Sequence, residues 1–160
     1  MSDRAAQLAA TFERTNESVI ATIQACSDEQ LRTVCNGEGW PVVVTAHHLA
    51  LSYQPIAGMA RCIATGQPLP PITMDELDSM NAQHAEECAT VSREETIALL
   101  RREGKAAADS IRRLTDEQLG RTAPIPLLAG QTLSASDMIE NGLIGHPTAH
   151  GDSIKATLGR

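Results

Sequence analysis

The sequence predicts an all-α fold, a bundle of four long helices. Three observations carry that expectation. The 160-residue chain holds one Trp, one Tyr and one Phe, while helix-forming alanine, leucine and glutamate are plentiful. Apolar residues recur at three- and four-residue steps, the spacing of helices that bury one face. The periodic stretches are separated by Ser or Thr caps with an acidic or amide residue three positions later.

The first helix is expected from Asp3 to Cys26, with Leu8, Phe12, Val19 and Ile23 on one face. Ser27-Asp-Glu-Gln30 has the pattern of a capping box and marks a short separate turn. The loop Asn36-Gly37-Glu38-Gly39 leads to Trp40-Pro41, where a proline suits a helix start. The second helix then runs to about Thr65, with Val44, His48, Leu51, Met59 and Cys62 aligned. Pro55 is expected to kink it, or to split it near Gln54.

Prolines and glycine make residues 66–72 a loop. The third helix opens on the capping box at Thr73–Glu76 and extends to Leu114, with Ile97, Leu100, Ala107, Ile111 and Leu114 as its seam. Ser92 can act as a fresh cap and break it near Val91. Pro124, Pro126 and Gly130 make the segment from Thr115 to Gln131 irregular. Ser134 caps the fourth helix, which reaches about Leu158. Four amphipathic helices of this length form a bundle, and the length suits one domain, residues 1–160. There is also an internal echo: Ser27-Asp-Glu-Gln-Leu31 precedes the second helix and Thr115-Asp-Glu-Gln-Leu119 the fourth.

The formal net charge of −7 argues against nucleic acid as a partner, because phosphate binding needs a basic surface. No segment approaches the roughly 20 apolar residues of a membrane span. The first residues lack a charged leader followed by an apolar run, and no signal peptide is expected. Cys26, Cys35, Cys62 and Cys88 show no paired metal spacing and read as reduced thiols of a cytoplasmic protein.

The chemistry lies in the histidines. His146 and His150 are one helical turn apart, and at about 100° per residue they share a sector with Ile139, Leu143 and Ile154. Two imidazoles turned into an apolar face need a common partner, and a divalent metal is the usual one. Two donors leave such a site incomplete. On the second helix His48 shares its sector with Val44 and Leu51, whereas His47 lies nearer the edge, so His48 is the expected third ligand. All-nitrogen ligation suits zinc, nickel, iron or copper alike.

His84 and Cys88 form a second pair of soft donors four residues apart. The default reading of His84 is a histidine hydrogen-bonded near the bundle surface; the alternative is a fourth ligand or a residue lining the site. Trp40 reads as a plug at the entrance of the second helix. Glu140 and Asp152 flank the histidine pair and read as solvent-facing charges, with the orienting of a ligand imidazole as the alternative.

The stretch Gly39-Trp40-Pro-Val-Val-Val-Thr-Ala-His47-His48-Leu49-Ala50 resembles the helix-two pattern of the DinB-like superfamily. That superfamily includes DinB/YfiT-type metalloproteins and the N-terminal domain of mycothiol-dependent maleylpyruvate isomerase. His146-Pro-Thr-Ala-His150 is similar to its HxxxH motif on the last helix, and Asn81 with residues 92–100 to its third helix. The resemblance implies a four-helix bundle of up-down-down-up order and a metal, often zinc or nickel, held by His48, His146 and His150. It also implies a homodimer acting on a small-molecule substrate. The implied activity is S-transfer or isomerisation with a low-molecular-weight thiol, whose ionisation an open metal position would favour.

Pro147 departs from that pattern: in a regular helix it removes the hydrogen bond to Leu143 and rotates His146 relative to His150. Gly142, Gly145 and Gly151 loosen the same helix. No catalytic residue is identified, and Arg61 and Lys155 are the cations available to a thiol cosubstrate. Two other functions stay open, a non-catalytic metal- or ligand-binding bundle and a structural bundle with a degenerate site.

Overall fold

Capped, amphipathic segments dominate the computed structural model, which describes residues 2–160. The elements are α1 (Asp3–Gln24), α2 (Asp28–Arg32), α3 (Val42–Thr65), α4 (Met74–Glu87), α5 (Arg93–Arg112) and α6 (Asp116–Gly120). A hairpin of β1 (Thr122–Ile125) and β2 (Gln131–Ser134) follows. The last rod is α7 (Ala135–Met138), a π-helical stretch (Ile139–Gly145) and α8 (His146–Thr157), run end to end.

Long-range contacts set the topology. Asn16 meets Leu100 and Glu13 meets Arg112, so α1 and α5 run antiparallel. Gln54 donates to the Glu103 carbonyl and His47 faces Glu95, so α3 and α5 run parallel. Arg4 donates to Ser136 and Lys155 to Ser18, which makes the last rod parallel to α1. The order is up-down-down-up. Each of α1 and α3 packs on α5 and on the last rod, so these two lie diagonally. They meet across the centre, where the Phe12 and Tyr53 rings stand edge to face at 4.9 Å.

One buried polar group pins three helices together. The Asn16 amide donates to the Leu100 carbonyl and accepts the Tyr53 hydroxyl proton. Gly104 makes room for it: a Cβ there would stand 2.3 Å from Asn16 Nδ2.

Several elements differ from the sequence expectation. The third helix is two helices, with the break that Ser92 made available, because Ser92 and Glu95 complete a reciprocal capping box that starts α5 afresh. Residues 122–134 are an antiparallel hairpin, with Pro124 tolerated because a two-stranded ribbon has only edge strands. Pro55 does not split α3; it is exposed, so the carbonyl it leaves unpaired lies on the wet side. Leu51 is 46% exposed. The buried face of α3 carries Ala46, Leu49, Ala50, Tyr53, Ala57 and Ala60 instead. His48 therefore leaves the core face and points towards the last rod at one end of the bundle.

The sequence echo has a structural counterpart. α2 and α6 both carry capping boxes and both bury their leucine, Leu31 and Leu119. The Val42 N–H then bonds the Thr33 carbonyl, and the Ala135 N–H bonds the Arg121 carbonyl, each at 2.9 Å. Each short helix thus sets the start of a histidine-bearing rod.

Candidate metal centre

The last rod solves the Pro147 problem before it reaches the site. Its seven residues from Ile139 are π-helical, and the His146 N–H reaches back five residues to the Asn141 carbonyl. Pro147 then falls in the first turn of α8, where a missing N–H costs least. π-Turns accommodate an extra residue in a helix and occur often at functional sites. The stretch lies tight against α3: a Cβ on Gly142 would stand 2.5 Å from the Ile56 side chain. Through it α8 enters with His146 and His150 turned towards α3.

There the structure brings together His48, His146 and His150, with one ring nitrogen of each within 4.8 Å of the others. The Nε2 atoms of His146 and His150 are 3.0 Å apart. The His48 ring centre is 5.5 Å from both. The Trp40 and His48 ring centres are 5.2 Å apart, in an edge-type arrangement.

A carboxylate from another part of the chain completes the arrangement. Glu38 Oε1 is 2.6 Å from His150 Nδ1, and Glu38 Oε2 accepts from Ser153 Oγ at 2.7 Å. The turn that carries it is tied by hydrogen bonds between Cys35 and Trp40 and between Gly39 and Cys35, with Gly39 at φ +72°. Burial works to raise the Glu38 pKa, but the hydrogen bonds from Ser153 and His150 outweigh it and hold the group below its ordinary value. With the carboxylate on Nδ1–H, His150 presents its Nε2 lone pair to the site.

The remaining electrostatics keep the other rings neutral. Burial, then the neighbouring histidines, lower His48 to about 3. Burial and His150 lower His146 to about 4. Neutral imidazoles have free lone pairs, which metal ligation requires.

The donor set fits a divalent ion. Three imidazoles converge from two helices, and one has its far nitrogen held by a carboxylate. The 3.0 Å gap between two Nε2 atoms is near the separation of about 3.3 Å expected for nitrogens bound tetrahedrally to zinc at about 2.0–2.1 Å.

Other sequence candidates lie elsewhere. Glu140 is half exposed and sits 3.9 Å from Arg4. Asp152 is exposed. Arg61 is 13 residues beyond His48 on α3, about 20 Å along the helix, and Lys155 bonds Ser18. His47 pairs with His84, Nδ1 to Nε2 at 2.8 Å. Sequence reasoning missed Glu38 because a loop has no periodicity to assign its direction. Its one available signal was position, as the acidic residue of the loop just before Trp40.

The family model of the DinB superfamily matches residues 11–150. This chain belongs to the DinB superfamily. Among solved structures, YfiT from Bacillus subtilis has a similar fold, with a TM-score of 0.73 and 19% identity over 99% of this chain and 90% of that one. YfiT is described as a probable metal-dependent hydrolase with an unusual four-helix bundle topology. In this DinB bundle α1 and α3 lie diagonally. Comparison with curated proteins finds no match. Among the described residues of this DinB chain, no helix is long and apolar enough to cross a membrane.

Proposed function

We propose that this protein is a metalloprotein in which His48, His146 and His150 hold one divalent ion, zinc or nickel, and that it catalyses S-transfer or isomerisation with a low-molecular-weight thiol. The observation that carries the reading is the convergence of three ring nitrogens, with Glu38 on His150. A divalent ion held by these three donors would supply the Lewis acidity that favours ionisation of a thiol.

The chain's own residues do the rest. Glu38 orients His150 and fixes its tautomer, and Ser153 fixes Glu38. Trp40 packs against the His48 ring. With Glu38 engaged by both His150 and Ser153, that carboxylate is committed to positioning His150. A thiol, already acidic with a pKa of about 8.5, asks less of the protein than water does. This favours thiol chemistry over hydrolysis. Hydrolysis remains the second reading, supported by the description of YfiT.

The same reading takes the chain as one domain acting on a small molecule, as a cytoplasmic homodimer. Light scattering after size exclusion tests the dimer.

The first experiment is elemental analysis of untagged protein purified without chelator, beside His146→Ala and His150→Ala. Metal lost in both variants, followed by thiol conjugation in a screen of small thiols and electrophiles, supports the proposal. A wild-type protein whose metal content matches both variants, even after incubation with zinc or nickel, overturns it. Ester or amide hydrolysis without thiol turnover selects the second reading.

A further inference from the structure

Beside the three-histidine centre lies a second donor cluster that it does not use. His47, His84 and Cys88 each bring one donor atom, a ring nitrogen or the thiol sulfur, to within 4.8 Å of the others. His47 is in the second turn of α3, His84 in the last turn of α4, and Cys88 caps that helix. His47 Nδ1 and His84 Nε2 are 2.8 Å apart, too close for both to show lone pairs unless a proton or a cation stands between them. The other His84 nitrogen is buried without a partner. The Glu95 carboxylate is near enough to act electrostatically on His47, that of Glu87 on His84, and both on Cys88, so the surroundings favour a cation.

The fold also gives a cation there something to do. None of the α4 side chains is buried, and Met74 and Met80 are about half exposed. A helix without a buried face has little apolar packing to hold it in place. We propose that His47, His84 and Cys88 form a second metal site, suited to a thiophilic cation such as zinc, that ties the end of α4 to the start of α3. One thiolate and two imidazoles are the donor types zinc favours. On binding, the Cys88 S–H bond breaks, a metal–sulfur bond forms and the proton leaves to solvent, while His47 and His84 give lone pairs. No electron is transferred.

Metal-free full-length protein titrated with cobalt(II) tests this, because sulfur coordination adds a near-ultraviolet charge-transfer band that nitrogen ligands do not give. The wild type should take up two equivalents and show the band. Cys88→Ser and His84→Ala should each lose the band and one equivalent. His150→Ala should keep the band and lose the other equivalent, which separates this site from the three-histidine one. Cys88 is partly exposed at a helix end, so circular dichroism of the serine variant should match wild type. The proposal is overturned if the wild type shows no band, if the band survives Cys88→Ser, or if it vanishes with His150→Ala.

Discussion

Glu38 Oε1 sits 2.6 Å from His150 Nδ1, across 112 residues of chain. The contact joins the loop before α3 to α8, the two elements that bring the histidines together. In the proposed metal site it gives the loop a chemical role, because a carboxylate on the far nitrogen sets the tautomer of a ligand imidazole and raises its basicity. Ser153, on the same face of α8 as His150, holds the other oxygen.

Replacing Glu38 by alanine should weaken metal binding at the three-histidine centre by roughly 10- to 100-fold. Competition with a chromogenic chelator measures it. Ser153→Ala should have a smaller effect in the same direction. An affinity equal to wild type in Glu38→Ala would mean that the carboxylate does not orient His150.

The metal-free protein should lose stability as pH falls from about 6.5 towards 4. His48 and His146 are lowered to about 3 and about 4, from 6.5. Between those values and 6.5 the unfolded chain binds more protons than the native one, so unfolding becomes easier as pH drops. The stability is fully present above 6.5, and its loss is on the order of several kcal/mol by pH 4. Urea denaturation at a series of pH values reads it. The double variant His48→Leu, His146→Leu should flatten the dependence, and an equally steep variant would place its cause in other groups.

Trp40 is the chain's one tryptophan, with its ring 5.2 Å from His48 and 6.5 Å from His84. Its fluorescence should be quenched by open-shell nickel(II) or copper(II), and less by closed-shell zinc(II). His48→Ala should remove the part of the nickel response that comes from the three-histidine centre, and His84→Ala the part that comes from the second site. Unchanged emission on saturation of the wild type with nickel would put the ion away from this end of the bundle.

Gly104→Ala should destabilise the fold by about 1–3 kcal/mol. The added carbon meets the Asn16 amide at 2.3 Å, and moving that amide strains its bonds to Leu100 and Tyr53. Thermal unfolding should show a midpoint several degrees lower. An unchanged midpoint would show that Asn16 moves aside freely.

The helical rods and most of their ends were legible in the sequence. Leu8, Phe12, Val19 and Ile23 repeat with the helical period, and all four are buried. Capping boxes at Ser27, Thr73, Ser92, Thr115 and Ser134 are local patterns that need no distant partner to act. The histidine spacing on the last rod is local in the same sense. Face assignment was weaker: Val44 and Leu51 share a sector with His48, yet Val44 is buried and Leu51 exposed. Periodicity reports that a face is apolar, and packing decides which part of it is covered.

Local patterns suffice for the helical class, the capped starts and the placing of His48 on one helix and His146 with His150 on another. The meeting of Glu38 with His150 and of His47 with His84, and the π-turns that carry Pro147 past the site with His146 and His150 still facing each other, exist only in the folded chain. The physical reason is range. Caps and periodicity act within a few residues, whereas these contacts exist only where separate helices and a loop, positioned by burial of the core, arrive at the same end of the bundle.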